Sequence, residues 1–207
     1  MLKRGNHLLF YLWLMDNYTN WTPSPEDNKL GLTDKNLINE YEVKGIAAAE
    51  LFMFGLDSDI EISAQLICEI HRIAFAELYD WAGKWRTTSV TVGQLIPPEP
   101  GQIIHLMYQC IDNLNFKIGN SQTIEAHLDC LVYAHYEFIR IHPFNNGNGR
   151  TGRLLMNLVG LKLGYQPLEL YHREGNSRKV YIEAMKSADK GNFEPLTVLI
   201  REELVSF

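Results

Sequence analysis

The chain has 207 residues, 46% of them apolar and 21% charged, and its 19 basic and 25 acidic side chains give a formal charge of −6. This composition excludes collagen-like, coiled-coil and wholly disordered chains, and the length suffices to bury a core without disulfides. The acidic balance argues against non-specific nucleic-acid binding, because neutralising phosphates needs surplus Lys and Arg. It leaves room for one local basic pocket.

The amino-terminal residues carry a weak targeting pattern. Lys3 and Arg4 precede an apolar run over 8–15, which lacks a small-residue cleavage site and is too short to cross a bilayer. We therefore expect residues 1–29 to be a leader and 30–207 the domain. Either residues 1–14 form an extra helix packed on the domain, or translation starts natively at Met15, which the polar stretch that follows favours.

The cysteines bear on the compartment. Cys68, Cys110 and Cys130 are odd in number and include no CxxC pair, which argues against a disulfide framework or a zinc site. Buried thiols in a reducing cytoplasm are expected.

Apolar periodicity and capping residues predict seven helices, over about 33–55, 58–78, 102–115, 123–142, 151–164, 177–188 and 195–203. Between the second and third, residues 85–96 are rich in β-branched side chains around Gly93, which predicts a short strand–turn–strand. We expect an all-α bundle of about seven helices with a β-hairpin.

The stretch from His142 to Arg153 differs from the rest. His142 ends a long helix that Pro143 terminates, and an Asn-Gly-Asn-Gly loop follows. Asn and Gly accept positive φ, so such a loop can aim successive backbone N–H groups at one anion. The next helix points its N-terminus at the same place.

Side chains of this stretch complete the pattern. Arg150 and Arg153 lie on one face of a helix start, where the helix dipole disfavours cations unless an anion is bound. His142 is a candidate general base, since an unperturbed imidazole is mostly neutral at pH 7. The residues alone predict a polyphosphate site, although a helix terminator and an ordinary turn would have the same sequence.

The string His142–Arg153 resembles the Fic (Fido) signature HPFx(D/E)GNGRxxR at every fixed position but one. Residues 79–87 and 181–185 are similar to the family's segments on either side, so the resemblance covers about 30–203. The Asn-Gly-Asn-Gly form is most similar to the subgroup called mobile mystery protein B, bacterial products of mobile elements.

The resemblance implies a protein adenylyltransferase that moves AMP from Mg-ATP to a Ser, Thr or Tyr hydroxyl of a target protein. His142 would be the general base, and Phe144 would anchor the loop. The phosphates would be bound by Gly147, Asn148, Gly149, Arg150 and Arg153. The hairpin would be a flap that registers the target chain by strand addition through Thr88, Ser89, Val90, Thr91, Val92 and Gly93.

Two positions qualify this implication. Asn146 stands where the family has the acid that binds Mg²⁺, so weaker metal binding and slower transfer are expected. The family also has an inhibitory helix whose Glu pairs with the second motif arginine. Glu42 is the candidate here, although its spacing does not fit and a solvated helix charge is the favoured alternative.

Three functions therefore stay open: AMP transfer, a Fic-fold module that binds a nucleotide or partner without turnover, and transfer of another phosphate-containing group. The kinase branch, Doc, differs at the positions of Gly147 and Gly149. The resemblance implies a target protein and a regulatory or antitoxin partner. We expect a cytoplasmic protein without nucleic-acid or membrane binding.

Overall fold

The computed structural model describes residues 28–92, 96–170 and 176–207. Seven α-helices lie in these ranges: α1 Lys35–Phe54, α2 Ala64–Phe75, α3 Ile103–Asn120, α4 Ile124–Ile141, α5 Asn148–Lys162, α6 Ser177–Ala188 and α7 Glu194–Glu202. A 3-10 turn, Pro100–Gln102, leads into α3. The expected all-α fold is confirmed.

Short polar side chains fix the starts of three helices. Asp34, Ser63 and Thr123 cap α1, α2 and α4, each accepting a backbone N–H of the first turn. The cap at Ser63 explains why α2 begins later than the Ser58 or Asp59 start that the sequence favoured. The predicted start of α5 was wrong in the other direction, since Asn148 and Gly149 are already helical.

Helix α4 runs through the centre of the bundle and packs against α3, α5 and α7. Its residues Leu131, Ala134 and Phe138, spaced three and four apart, have no exposed surface, as the helical period requires for a central helix. Helices α1 and α2 pack against each other and both contact α5. The loop between α4 and α5 therefore starts from a rigid core helix and ends beside a second helix pair.

The predicted hairpin is not seen in the described residues. The only β-bridge between them joins Tyr165 and Ser206, at the other end of the chain. Gly93 lies outside the described residues, as does the predicted leader up to residue 27. None of the helices described here is both long and apolar enough to span a bilayer.

Candidate functional site

His142 follows the last residue of α4 and has an unusual backbone. Its φ of 50° and ψ of 59° are left-handed, and no other non-glycine residue that the structure describes has a positive φ. This conformation costs an L-residue energy, so the surroundings must hold it. It ends α4 and turns the chain into the loop that precedes α5.

The imidazole of His142 is set up to accept a proton. Its Nδ1 lies 3.3 Å from the carbonyl oxygen of Ile139, and a carbonyl only accepts, so Nδ1 carries the hydrogen and Nε2 keeps its lone pair. Burial lowers the pKa of His142 to about 4, and the nearby charge of Arg86 lowers it too. The ring is therefore a neutral, half-buried base at pH 7.

The amide of Asn148 holds the loop in shape. Its Oδ1 accepts the N–H of Phe144 at 2.9 Å, and its Nδ2 donates to the carbonyl of the same residue at 2.8 Å. The Phe144 ring is fully buried and stacks on the imidazole of His71, with centroids 3.6 Å apart. The Asn148 side chain is thus a structural clamp, and only its backbone N–H is left to face an anion.

The start of α5 is open to a negatively charged ligand. Gly147 is the N-cap, with φ 75° and no side chain to cap the helix, so the first-turn N–H groups of Asn148, Gly149 and Arg150 have no helical acceptor. A Cβ at Gly147 would lie 2.7 Å from the Phe75 ring. The helix dipole adds partial positive charge here.

The two motif arginines have different surroundings. The Arg150 guanidinium lies 2.7 Å from the Glu42 carboxylate, with both side chains about a tenth exposed, and 4.5 Å above the ring of Phe75. Tyr79 donates its hydroxyl to the other Glu42 oxygen at 3.1 Å. Glu42 is therefore not a solvated helix charge, and its described partner is the first motif arginine.

Arg153 lies along the first turn of α5. A Cβ built on Gly149 would be 3.8 Å from its Nη1, which places the guanidinium beside the first turn of α5. It also acts on Glu50 of α1, whose pKa is raised by burial to about 8 against the opposing charge of Arg153. The structure thus brings one arginine, three backbone donors and a neutral histidine to the two ends of one loop.

The side-chain oxygen and the backbone carbonyl oxygen of Asn146 both accept hydrogen bonds. Its Oδ1 accepts the N–H of Gly147 at 2.7 Å, and its carbonyl oxygen lies 3.1 Å from Nε2 of His71. The described residues hold no group of three His, Cys, Asp or Glu side chains that could bind a metal. Position 146 offers a neutral oxygen where a carboxylate was expected.

The segment predicted as a flap begins beside this loop. The Thr88 hydroxyl lies 3.4 Å from Oδ1 of Asn145, and Ser89 donates to the Glu99 carboxylate at 2.8 Å. The side chains of Thr88, Ser89, Thr91 and Val92 are exposed. The start of the segment is therefore joined to the loop through Thr88, and to Glu99 beyond the segment through Ser89.

Comparisons with known proteins agree with this geometry. Residues 61–159 match the family model described as the Fic/DOC family. The chain belongs to this family. It is 31% identical over 184 residues to the protein adenylyltransferase Fic of Drosophila grimshawi, covering 87% of this chain and 37% of that protein. The Drosophila melanogaster protein of the same name is 31% identical over 183 residues, with 87% and 36% covered. The chain thus spans little more than a third of these relatives.

Solved structures share the Fic fold. Fic-1 of C. elegans has a TM-score of 0.73 at 24% identity, covering 98% of this chain and 64% of that one. The BepC protein of Bartonella tribocorum, solved with bound AMPPNP, has a TM-score of 0.68 at 20% identity, with 94% and 99% covered. At these identities the likeness establishes the fold.

Two buried residues near the Fic motif were missed by sequence reasoning. His71 accepts the Gly83 N–H on Nδ1 at 2.8 Å, so its Nε2 donates to the Asn146 carbonyl. Arg86 donates to the carbonyl of His142 at 2.8 Å. His71 shares the helix face of Ile67, Ile70 and Ala74, which is a signal for burial, whereas nothing in the sequence distinguishes Arg86 from a surface arginine.

Proposed function

We propose that this chain is a protein adenylyltransferase that moves AMP from Mg-ATP to a hydroxyl side chain of a target protein. The observation that carries the proposal is the state of His142. Its Nδ1 hydrogen is directed to Ile139, which leaves Nε2 free to take the proton of an incoming hydroxyl. Both ring nitrogens of the structural histidine His71 make hydrogen bonds within the protein, whereas the described hydrogen bond of the His142 ring is made by Nδ1.

Phosphate binding is assigned to the start of α5. The N–H groups of Asn148, Gly149 and Arg150 supply donors that need no charged side chain. We assign direct phosphate contact to Arg153, which lies along the first turn of α5, and a supporting role to Arg150, which Glu42 holds in place. The reaction breaks the bond between the α and β phosphates, joins the α phosphate to the target oxygen and releases pyrophosphate. Positioning and charge stabilisation carry such transfers.

Magnesium enters as part of the substrate. Mg²⁺ binds ATP phosphates with one or two protein carboxylates, and the loop supplies none, since Asn146 is neutral and its Oδ1 accepts from Gly147. The residues present therefore do not fit a full metal site. We propose that the metal is held chiefly by the nucleotide and that transfer is slower than with an acid at this position.

The same observation supports a second function. A chain that binds Mg-ATP weakly could bind a nucleotide or a partner through the Fic fold without turnover. The intact base at His142 favours the enzyme, because a binding module has no use for it. The two functions differ in whether phosphate label becomes covalently attached to protein.

The partners follow from the chemistry. We propose a target protein that pairs its backbone with residues 88–93 beside the loop, and a regulatory or antitoxin protein that restrains the site.

The free cysteines Cys68, Cys110 and Cys130 favour the cytoplasm. The bacterial, mobile-element origin rests on the form of the motif.

The test uses ATP labelled with ³²P at the α or the γ position, incubated with the chain and a dialysed cell lysate. Label from the α position on protein supports AMP transfer, label from the γ position only indicates a kinase, and no label with measurable ATP binding supports the module. His142→Ala must abolish the label. His105→Ala, at an exposed histidine of α3, is the matched control and must retain it.

A further inference from the structure

Arg86 is a buried cation held by backbone carbonyls. Only 2% of its surface is exposed, yet its guanidinium donates three hydrogen bonds to three different stretches of chain. Nε donates to the carbonyl of His142 at 2.8 Å, one terminal nitrogen to that of Thr88 at 2.8 Å, and the other to that of Pro98 at 2.6 Å. Burying a charge is costly unless such partners surround it.

The three acceptors lie where two features meet. Thr88 begins the segment proposed to register the target, Pro98 lies five residues beyond the end of that segment, and His142 is the proposed general base. The backbone N–H of Arg86 adds a fourth bond, to the Pro143 carbonyl at 2.8 Å. The same side chain therefore links the start of the segment, and a residue that follows the segment, to the end of α4.

The hydrogen bond from Arg86 to the His142 carbonyl involves the residue that has the left-handed backbone. A positive φ directs the His142 carbonyl away from the helical path, so the carbonyl needs a donor outside the helix. Arg86 supplies it, while the His142 N–H stays in the helix with the Phe138 carbonyl at 3.0 Å. Arg86 thereby fixes the peptide group next to the Cα atom from which the His142 side chain projects.

Another cation could not reproduce this arrangement. A guanidinium is planar and presents its donors in a fixed fork, whereas lysine has one nitrogen on a flexible stem. Lysine at position 86 would keep the charge but reach fewer of the three carbonyls. Arg86→Lys therefore tests the geometry of the donors while the positive charge is kept.

We propose that Arg86 is a positioning residue that couples the target-registering segment to His142, so that a hydroxyl presented on the segment lies within reach of Nε2. This inference rests on the proposed function. Arg86 contacts neither nucleotide nor target in it. Its role is to hold the relative placement of the acceptor and the base, while the nucleotide phosphates are bound at the start of α5.

The test compares Arg86→Lys with Arg72→Lys. Arg72 is an exposed arginine of α2 paired with Glu69, so its variant controls for the substitution itself. The acceptor is the protein purified from the most strongly α-labelled lysate band of the unsubstituted chain. Transfer to it is measured at saturating ATP, ATP affinity by calorimetry, and folding by thermal unfolding.

We expect Arg86→Lys to lower transfer about 100-fold, the scale of a misplacement of one ångström, and to raise the KM for the acceptor, with ATP affinity unchanged. A merely structural role would lower ATP affinity and the unfolding temperature together with transfer. Transfer equal to that of the Arg72→Lys control, or a parallel loss of ATP affinity, overturns the inference.

A second variant covers the case in which Arg86→Lys does not fold. Ser89→Ala removes the exposed hydrogen bond between Ser89 and Glu99, which likewise joins the start of the segment to a residue that follows it. We expect a higher KM for the acceptor at unchanged ATP affinity, and an unchanged KM overturns the inference. If the unsubstituted chain attaches no α label, the proposed function fails and this inference with it.

Discussion

The carboxylate of Glu42 and the guanidinium of Arg150 lie 2.7 Å apart, across the contact between α1 and the start of α5. Both side chains are about a tenth exposed, and the Tyr79 hydroxyl and Phe75 ring complete the surroundings of the pair. The helix dipole disfavours a cation at the start of α5. The acid from α1 compensates for this unfavourable interaction of the Arg150 charge with the helix dipole.

Replacing Glu42 by Gln should destabilise the fold strongly. The substitution leaves the Arg150 charge buried without its counter-ion, which typically costs about 3 kcal/mol. The measurement is the free energy of unfolding in urea. Glu69→Gln breaks the exposed pair with Arg72 and should cost about 0.5 kcal/mol. Similar losses in the two variants would contradict the structural importance of the buried pair.

The same variant tests whether Glu42 is inhibitory. An acid that restrains the site would, once removed, raise AMP transfer per folded molecule. Because Glu42 holds Arg150 at the start of α5, we expect transfer to fall. A rise in transfer under conditions where the variant is folded would establish the inhibitory role.

The sequence predicted the scaffold better than the site's inner contacts. Helices α1 and α6 match because capping and periodicity are local signals, and the twelve-residue motif located His142. Arg86 and His71 could not be found in this way, since Arg86 bonds the distant carbonyls of His142 and Pro98 and His71 bonds that of Asn146. The late start of α2 reflects the presence of two serines that could cap the helix, Ser58 and Ser63, of which Ser63 is the cap.

Gly147→Ala should destabilise the protein, because the new Cβ would lie 2.7 Å from the Phe75 ring and the backbone has φ 75°. The two effects together should cost about 2 kcal/mol or more. Gly119→Ala is the matched control: position 119 lies within α3 and has no atom within 4 Å of a Cβ. That variant should be more stable by about 0.5 kcal/mol. Relative to the original chain, we expect the unfolding midpoint to decrease in Gly147→Ala and to increase in Gly119→Ala. Equal midpoints in the two variants would refute the close contact between position 147 and Phe75.

Stability should depend on pH through buried histidines. Burial lowers the pKa of His71 to about 3 and those of His135 and His142 to about 4, below an unfolded value near 6.5. A lowered histidine pKa means that the unfolded chain binds the extra protons, so stability is complete above about pH 6.5 and is lost as pH falls. Each histidine changes the free energy of unfolding by at most about 1.4 kcal/mol per pH unit.

Glu50 has the opposite effect on the pH dependence of stability. Burial raises its pKa to about 8 from 4.5, so the folded chain holds a proton that the unfolded chain releases, and stability falls as pH rises from 4.5 to 8. The three histidines outweigh the one acid below about pH 6.5, and among these four described groups only Glu50 acts above that pH. Urea unfolding from pH 4.5 to 8 should therefore show maximal stability near pH 6.5. Glu50→Gln should flatten the decline above that pH, and an unaltered decline would exclude Glu50 as its cause.

Asn146→Asp should speed AMP transfer and reduce the magnesium it needs. The Oδ1 at this position already accepts the Gly147 N–H, so a carboxylate can keep that bond and offer its second oxygen to Mg²⁺. A charged ligand should lower the half-saturating Mg²⁺ concentration on the order of tenfold, or about 1.4 kcal/mol. Asn145→Asp adds the same charge one residue earlier, at an exposed side chain, and should have little effect. An unchanged rate and Mg²⁺ dependence in Asn146→Asp would show that position 146 does not limit the reaction. Transfer that appears only in this variant would instead show that the natural chain is a nucleotide-binding module.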